Sequence, residues 1–246
     1  MGRSRDLADG TLAELNVDSN TLAVDATNNR VGIGTNSPSA PLHIQKTGAD
    51  AGILIEETSI TGYSQYLQLK DSTTSWYVVN RYASGGAGNS GFGIGTTTSG
   101  DYLQIDTSGR VTMPYQPMFT ATAPSNQNMS ATSNTILPLT NAFVNVGSHY
   151  NTSTKRFTAP VAGQYVFHLS GMVDSSITST TNNSIISLYK NGSQLAYTHI
   201  YGPHPAGGSF TIILTAAAND YFEMYGQKIY LQYGNYITMF SGQLIG

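Results

Sequence analysis

Apolar residues in this chain recur at every second position, in short runs. From Gln164 to Ser170 the alternation is regular: Tyr165, Phe167 and Leu169 fall on one face, and Gln164, Val166, His168 and Ser170 on the other. That pattern predicts a strand with one buried side. It is preceded by Phe157-Thr158-Ala159, an extended stretch stopped by Pro160, which fixes φ and has no N–H to donate. Gly163 supplies the freedom to reverse direction. The same reading gives strands near 118–123, 135–139, 142–147, 155–159, 164–170, 185–190, 194–200, 208–216, 220–226 and 236–245. Asn191-Gly192 is the strongest hairpin signal, because both residues tolerate φ > 0. Phe210, Ile212 and Leu214 alternate with Thr211, Ile213 and Thr215, so both faces of 208–216 are largely apolar. No segment of helical length carries an apolar stripe with helical spacing.

Upstream, residues 21–114 contain an internal repeat. Leu22-Ala23-Val24-Asp25 leads to Arg30-Val31-Gly32-Ile33-Gly34-Thr35, and Leu103-Gln104-Ile105-Asp106 leads to Gly109-Arg110-Val111. Phe92-Gly93-Ile94-Gly95-Thr96 echoes the second half alone. Each unit reads strand, turn, strand. One such hairpin cannot bury its apolar face and needs neighbours. Ile53 to Ile55, Tyr66 to Leu69 and Trp76 to Val79 read as further strands. The prolines at 114 and 117 mark a stiff joint. Residues 1–20 hold a large share of the charges. Leu7, Leu12 and Leu15 could seed a short helix there, but Gly10 interrupts them.

Two resemblances follow from these residues. Tyr150-Asn151, Phe157 to Phe167, the Leu188-Tyr189-Lys190-Asn191-Gly192 turn and the terminal Phe240-Ser241-Gly242-Gln243-Leu244 occur in the order found in the globular head of complement component C1q. The match runs from about Met118 to Gly246. It implies a ten-stranded jelly roll, like tumour necrosis factor, that trimerises. Arg30 to Ile44 resembles a repeat of tailed-phage fibre and tail proteins. Together they set the expectation of an all-β protein: a virion-anchoring segment at 1–20, an intertwined trimeric β-repeat shaft at 21–114, and a jelly-roll β-sandwich head at 115–246. The expected anchor includes Arg3, Arg5 and Leu7. Tyr165, Phe167, Leu169, Phe210, Ile212 and Phe240 are expected in the head core or the trimer interface.

Composition narrows the function. Only 10% of residues are charged and the net charge is −3, with no Lys/Arg cluster, so the electrostatic footprint of a nucleic-acid binder is missing. There is no cysteine, and no apolar run reaches membrane length. Met1 to Asn20 has Arg3 and Arg5 but no apolar core behind them, unlike a signal peptide. These features suggest assembly in a host cytoplasm and a place on a virion.

Candidate chemistry is sparse. Gly86 to Gly91 fits G-x-G-x-x-G, but no helix follows to receive a pyrophosphate, so a loop is the better reading. No two of the five histidines have H-x-x-x-H spacing, although a turn could bring His199 and His204 together. Glu56 and Glu57 would point to opposite faces of a strand, and a glycosidase needs paired carboxylates at a set separation. No G-x-S-x-G elbow exists. Asp174, Asp220 and Glu223 bring to mind the calcium sites of some complement-type heads, yet single acids on loops are usually just solvated. Sequons at Asn128, Asn151, Asn182 and Asn191 matter only on a eukaryotic secretory route.

The expectation is a non-enzymatic homotrimeric tail fibre without cofactor or metal. Virion proteins (tail, baseplate or capsid) are the expected partners at the N-terminus, and a host cell-surface glycan or protein at the head. A capsid-decorating or baseplate spike and a secreted bacterial adhesin are the alternatives. If consecutive head strands reverse direction, the loops at 171–184, 201–207 and 227–235 lie farthest from the anchor. They and the strand beside them hold the candidate receptor-binding residues His199, Tyr201, His204, Tyr230 and Tyr233.

Overall fold

The computed structural model describes residues 14–17, 21–48, 50–56, 64–81, 91–96, 100–178, 183–232 and 237–246. The chain divides into two compact units, Met1–Tyr66 and Leu67–Gly246. Every element among the described residues is a strand, turn or loop.

The first unit holds one sheet of four strands, β1 (Glu14–Val17), β2 (Leu22–Asp25), β3 (Arg30–Ile33) and β4 (Leu42–Ile44), in that order. β2 and β3 form the hairpin read from the repeat. The Asp25 carboxylate closes its turn by accepting from the Asn28 N–H at 3.0 Å, and Asn29 takes φ 55°. β1 is a correction to the sequence reading. Residues 14–17 pair antiparallel with β2, Glu14 opposite Asp25, in place of a helix seeded by Leu15. Ile53 to Ile55 form no strand and are 54–83% exposed, because no neighbouring strand pairs with them.

β5 (Gln65–Lys70) spans the division, and with β6 (Ser75–Arg81), β7 (Gly91–Gly95), β8 (Asp101–Asp106) and β9 (Val111–Thr112) it makes a five-stranded sheet in sequence order. The β8–β9 hairpin repeats the device of β2–β3. Asp106 Oδ1 accepts from the Ser108 and Arg110 N–H groups at 2.8 and 2.9 Å, with Gly109 at φ 80°. The third echo is β7, which pairs with β6 on one side and β8 on the other. Both repeat-containing sheets therefore pair their strands within one chain, which gives no support to the intertwined shaft expected from the repeat.

The head contains β10 (Met118–Thr122), β11 (Gln127–Met129), β12 (Thr135–Ile136), β13 (Asn141–Val146), β14 (Tyr150–Asn151), β15 (Arg156–Thr158), β16 (Gly163–Val173), β17 (Asn183–Lys190), β18 (Ser193–Tyr201), β19 (Gly207–Ala216), β20 (Tyr221–Gln227), β21 (Ile229–Leu231) and β22 (Met239–Leu244). They make two sheets. One runs β13-β10-β22-β16, with β19 on the far side of β16 and β21 and β11 beside its end. The other runs β14-β15-β20-β17-β18, with β12 also on β20.

The core lies between the two sheets. Tyr165, Phe167, Leu169 and Phe240 are each 0% exposed, while His168 and Val166 on the opposite face are half-buried. Phe119 stacks on Phe157 at 4.7 Å and on Tyr150 at 4.9 Å, and Phe167 meets Phe222 at 4.4 Å. Rings in such contact add to the area term of burial. The Tyr150 hydroxyl donates to the Leu139 carbonyl at 2.8 Å and the Tyr165 hydroxyl to the Val161 carbonyl at 2.9 Å, which satisfies both phenols of the core. Phe210, Ile212 and Leu214 pack against the same core, so on β19 the outward apolar residue is Ile213, 62% exposed.

The register fixes the polarity of the head. Met118 lies opposite Gln243, and Tyr165 opposite Leu244, so β16 leaves the end where the chain enters the head. β16, β18 and β20 then finish at the opposite end. The loops that follow them gather there.

Candidate functional site

At that far end the loops are tied together by backbone and side chain. Val173 N–H donates to Ala206 O at 2.9 Å, Asp174 N–H to Lys228 O at 2.9 Å, and His204 N–H to Ile177 O at 2.8 Å. The Ser184 hydroxyl donates to Lys228 O as well. Asp174, 1% exposed, is the hub. Its carboxylate accepts from the Ser130 hydroxyl at 2.6 Å and from the Ser176 N–H and hydroxyl at 2.8 and 2.7 Å. Burial alone would push this carboxyl up. The three hydrogen bonds and nearby His204 outweigh burial and hold it below the ordinary carboxylate range. Three of its roughly four acceptor positions are thereby occupied, which leaves little for a cation. Among the described residues no three His, Cys, Asp or Glu side chains gather as metal ligands.

The candidate receptor-binding residues fall into two groups. His204 belongs to the tied loops and Tyr230 to the short strand β21 beside them, and both are half-buried. His204 Nδ1–H donates to Val173 O at 3.1 Å, and its ring meets Tyr230 edge-on at 5.3 Å. These two side chains brace the loop end. His199 and Tyr201 lie instead on the outward face of β18 and are exposed, Tyr201 to 65%. Tyr233 lies outside the described residues, as do Arg3, Arg5 and Leu7 of the expected anchor.

β18 holds more than the sequence reading took from it. Leu195, Tyr197, His199 and Tyr201 all point outward, while Ile200 is buried. Tyr197 and His199 meet at 5.5 Å, and His199 stacks on Tyr201 at 5.6 Å. The Asn183 amide on β17 donates to His199 Nδ1 at 2.6 Å, which puts the neutral ring's proton on Nε2, facing away. Tyr197 could have been found from period-2 spacing alone, two residues before His199.

The same outer face continues across β17, β20 and β15. Tyr189 stacks on Tyr225 at 3.9 Å, and the Arg156 guanidinium sits 4.2 Å from the Tyr221 ring centre. Arg156 Nε donates to Glu223 Oε1 at 2.7 Å. That glutamate is 2% exposed, although its partner is 42% exposed. Nothing in the sequence marked this pair, since the two residues are 67 apart. Glu223 and Tyr189 also push the Tyr225 hydroxyl up, after burial as the leading cause.

Two concave places lie elsewhere. A groove of about 260 Å³ crosses the outer face of the β10–β22–β16 sheet, with Val144, Val166, His168 and Gln243 in its lining. A polar hollow of about 640 Å³ in the first unit runs from Asp25 to Ser39, spanned by the Arg30 bond to Pro38 O. Neither brings together a nucleophile, a base and an orienting group.

The C1q domain family matches residues 118–245, more than half of the chain. Three solved structures resemble the chain. Murine APRIL is 9% identical, covers 53% of this chain and 99% of its own, and superposes with a TM-score of 0.42. Eiger TNF from S. frugiperda is 8% identical, covers 53% and 93%, and gives 0.41. The globular domain of zebrafish complement 1qA protein is 18% identical, covers 53% and 98%, and gives 0.38. No curated protein matches the chain.

These findings correct the virion reading. The family matched is the C1q domain, and the similar structures are proteins of mouse, insect and zebrafish. The viral, bacteriophage and tail-fibre assignment and the virion location are overturned. The phage-like repeat had carried that reading, and a short Gly-rich hairpin motif is too local to fix a lineage. C1q-type domains are structural and signalling modules without catalytic chemistry, and residues 118–245 are such a domain. The chain is all-β with a jelly-roll head, and it belongs to the C1q domain family.

Proposed function

We propose that the protein is an adhesive recognition protein. A homotrimeric C1q-type head would present its ring-bearing outer face to a cell-surface glycan or protein, and the β-repeat region would serve as its stalk. The observation that carries this is the exposed row Tyr197, His199 and Tyr201 on β18, steadied by Asn183. Rigid amphipathic rings beside short amides form an adaptable contact surface. Each ring offers an apolar face to a sugar or side chain, and the His199 Nε2–H, the Tyr hydroxyls and the Asn amide offer directional hydrogen bonds. The low charge of the chain suits a neutral ligand better than an ionic one.

The test is a glycan array and a cell-binding assay with the full chain, set beside Tyr197→Ala and Tyr201→Ala, with the mass of each variant measured in solution. Loss of binding at unchanged mass is the expected result. Unchanged binding in both variants would overturn the assigned surface. Loss of binding together with dissociation would place the rings at a subunit contact, and also count against it.

A further inference from the structure

The five-stranded sheet β5–β9 has two unlike faces. Paired residues assign them. Phe92 lies opposite Ile105, Ile94 opposite Leu103 and Val78, and Ile105 opposite Val111. Gln68 Nε2 donates to Ser75 Oγ at 3.1 Å and to the Tyr77 hydroxyl at 3.0 Å, so those three share the other face. By alternation Leu67 and Leu69 join Trp76 and Val78. One face is thus largely apolar across all five strands, with Gln65 and Asn80 its polar members and the Tyr102 ring 5.6 Å from Trp76. The other carries Gln68, Tyr77, Gly93 and Gln104 around the buried Val79, and the Asp101 carboxylate lies so close over Gly93 that a Cβ there would meet it at 2.4 Å.

The apolar face is open. Leu67, Leu69, Trp76, Phe92 and Val111 are 53, 57, 43, 42 and 59% exposed. At about 150–250 Å² for a large side chain, these and the half-buried aliphatics between them leave roughly 500–600 Å² of contiguous apolar surface, at the upper end of the largest patch a monomer shows. That is most of the ~800 Å² that each partner contributes to a stable interface. The face bears no charge, so a charged partner finds no complement on it, and a predominantly apolar surface complements itself.

We infer that this face packs against the same face of two further copies of the chain, so that three β5–β9 sheets close around a dry seam. Each sheet keeps its own hydrogen-bonded pairing, and the copies meet through side chains without exchanging strands. The inference rests on the trimeric reading of the head and adds to it a second interface at a different place in the chain.

Trp76 lies on this face and is the one tryptophan of the chain. The experiment measures its fluorescence, with acrylamide quenching, in the full chain at a concentration where light scattering gives the mass. A trimer with blue-shifted, quencher-shielded emission is expected. Phe92→Asp should shift that emission to the red and raise quenching, while the head strands keep their circular dichroism. A trimer whose Trp76 stays exposed would overturn this inference and leave the trimeric head standing. A monomer with exposed Trp76 would overturn both. A monomer with shielded Trp76 would show that the chain covers the face itself, and would also overturn both.

Discussion

Gly242 of β22 lies directly over the ring of Phe167: a Cβ at position 242 would stand 2.5 Å from Phe167 Cδ1 and 2.9 Å from Phe119 Cε1. The terminal Phe-Ser-Gly-Gln-Leu run thus has a packing cause. Phe240 fills the core, and Gly242, one inward position along, leaves room for the two rings opposite. Gly242→Ala should destabilise the head by about 1–3 kcal/mol, the usual cost of overpacking. Thermal unfolding checks this, and an unchanged melting temperature would show that the rings can retreat.

The Arg156–Glu223 pair supplies a second prediction. Removing the arginine leaves a carboxylate that is 2% exposed, with no replacement donor for Oε1 and none already on Oε2. Arg156→Met should therefore cost about 2–3 kcal/mol, the penalty of a buried ionised group left unpaired. The double variant Arg156→Met with Glu223→Gln should recover part of that loss. Denaturant unfolding of the two single variants and the double variant measures the coupling, and strictly additive costs would contradict it.

Acid sensitivity follows from the carboxylates. The Lys190 ammonium, the Asn191 amide and the Ala217 N–H hold the Asp220 carboxyl at about 2, against an ordinary 3.8. A depressed folded value means that the stabilisation is complete above about pH 4 and is lost as pH falls through about 2. The turn carboxylates Asp25, Asp71 and Asp106 are lowered by hydrogen bonds from their own turns and titrate in the same direction. Stability should fall between pH 4 and 2, and Asp220→Asn should flatten part of that fall. Chemical denaturation across this range checks it. A slope unaltered by Asp220→Asn would contradict the assignment.

Local signals in the sequence were read well because they have local causes. Asn191 and Gly192 both take positive φ, 52° and 79°, and join β17 to β18. The alternation at 164–170 sorts core from surface because a strand has period two. Features that depend on distant partners were not legible. Ile53 to Ile55 has the composition of a strand but no neighbour to pair with. The reach of Arg156 to Glu223 depends on which strands become neighbours. The ring surface was half legible: His199 and Tyr201 were singled out with His204 and Tyr230, but the structure separates an exposed row from a braced loop end, and Tyr197 completes the row.

The mass of the intact chain in solution tests most directly whether the head works as three copies. Multi-angle light scattering at micromolar concentration should give three times the mass of one chain, and this should persist on dilution until the protein unfolds. A folded chain that stays at the mass of one copy under those conditions would contradict the account.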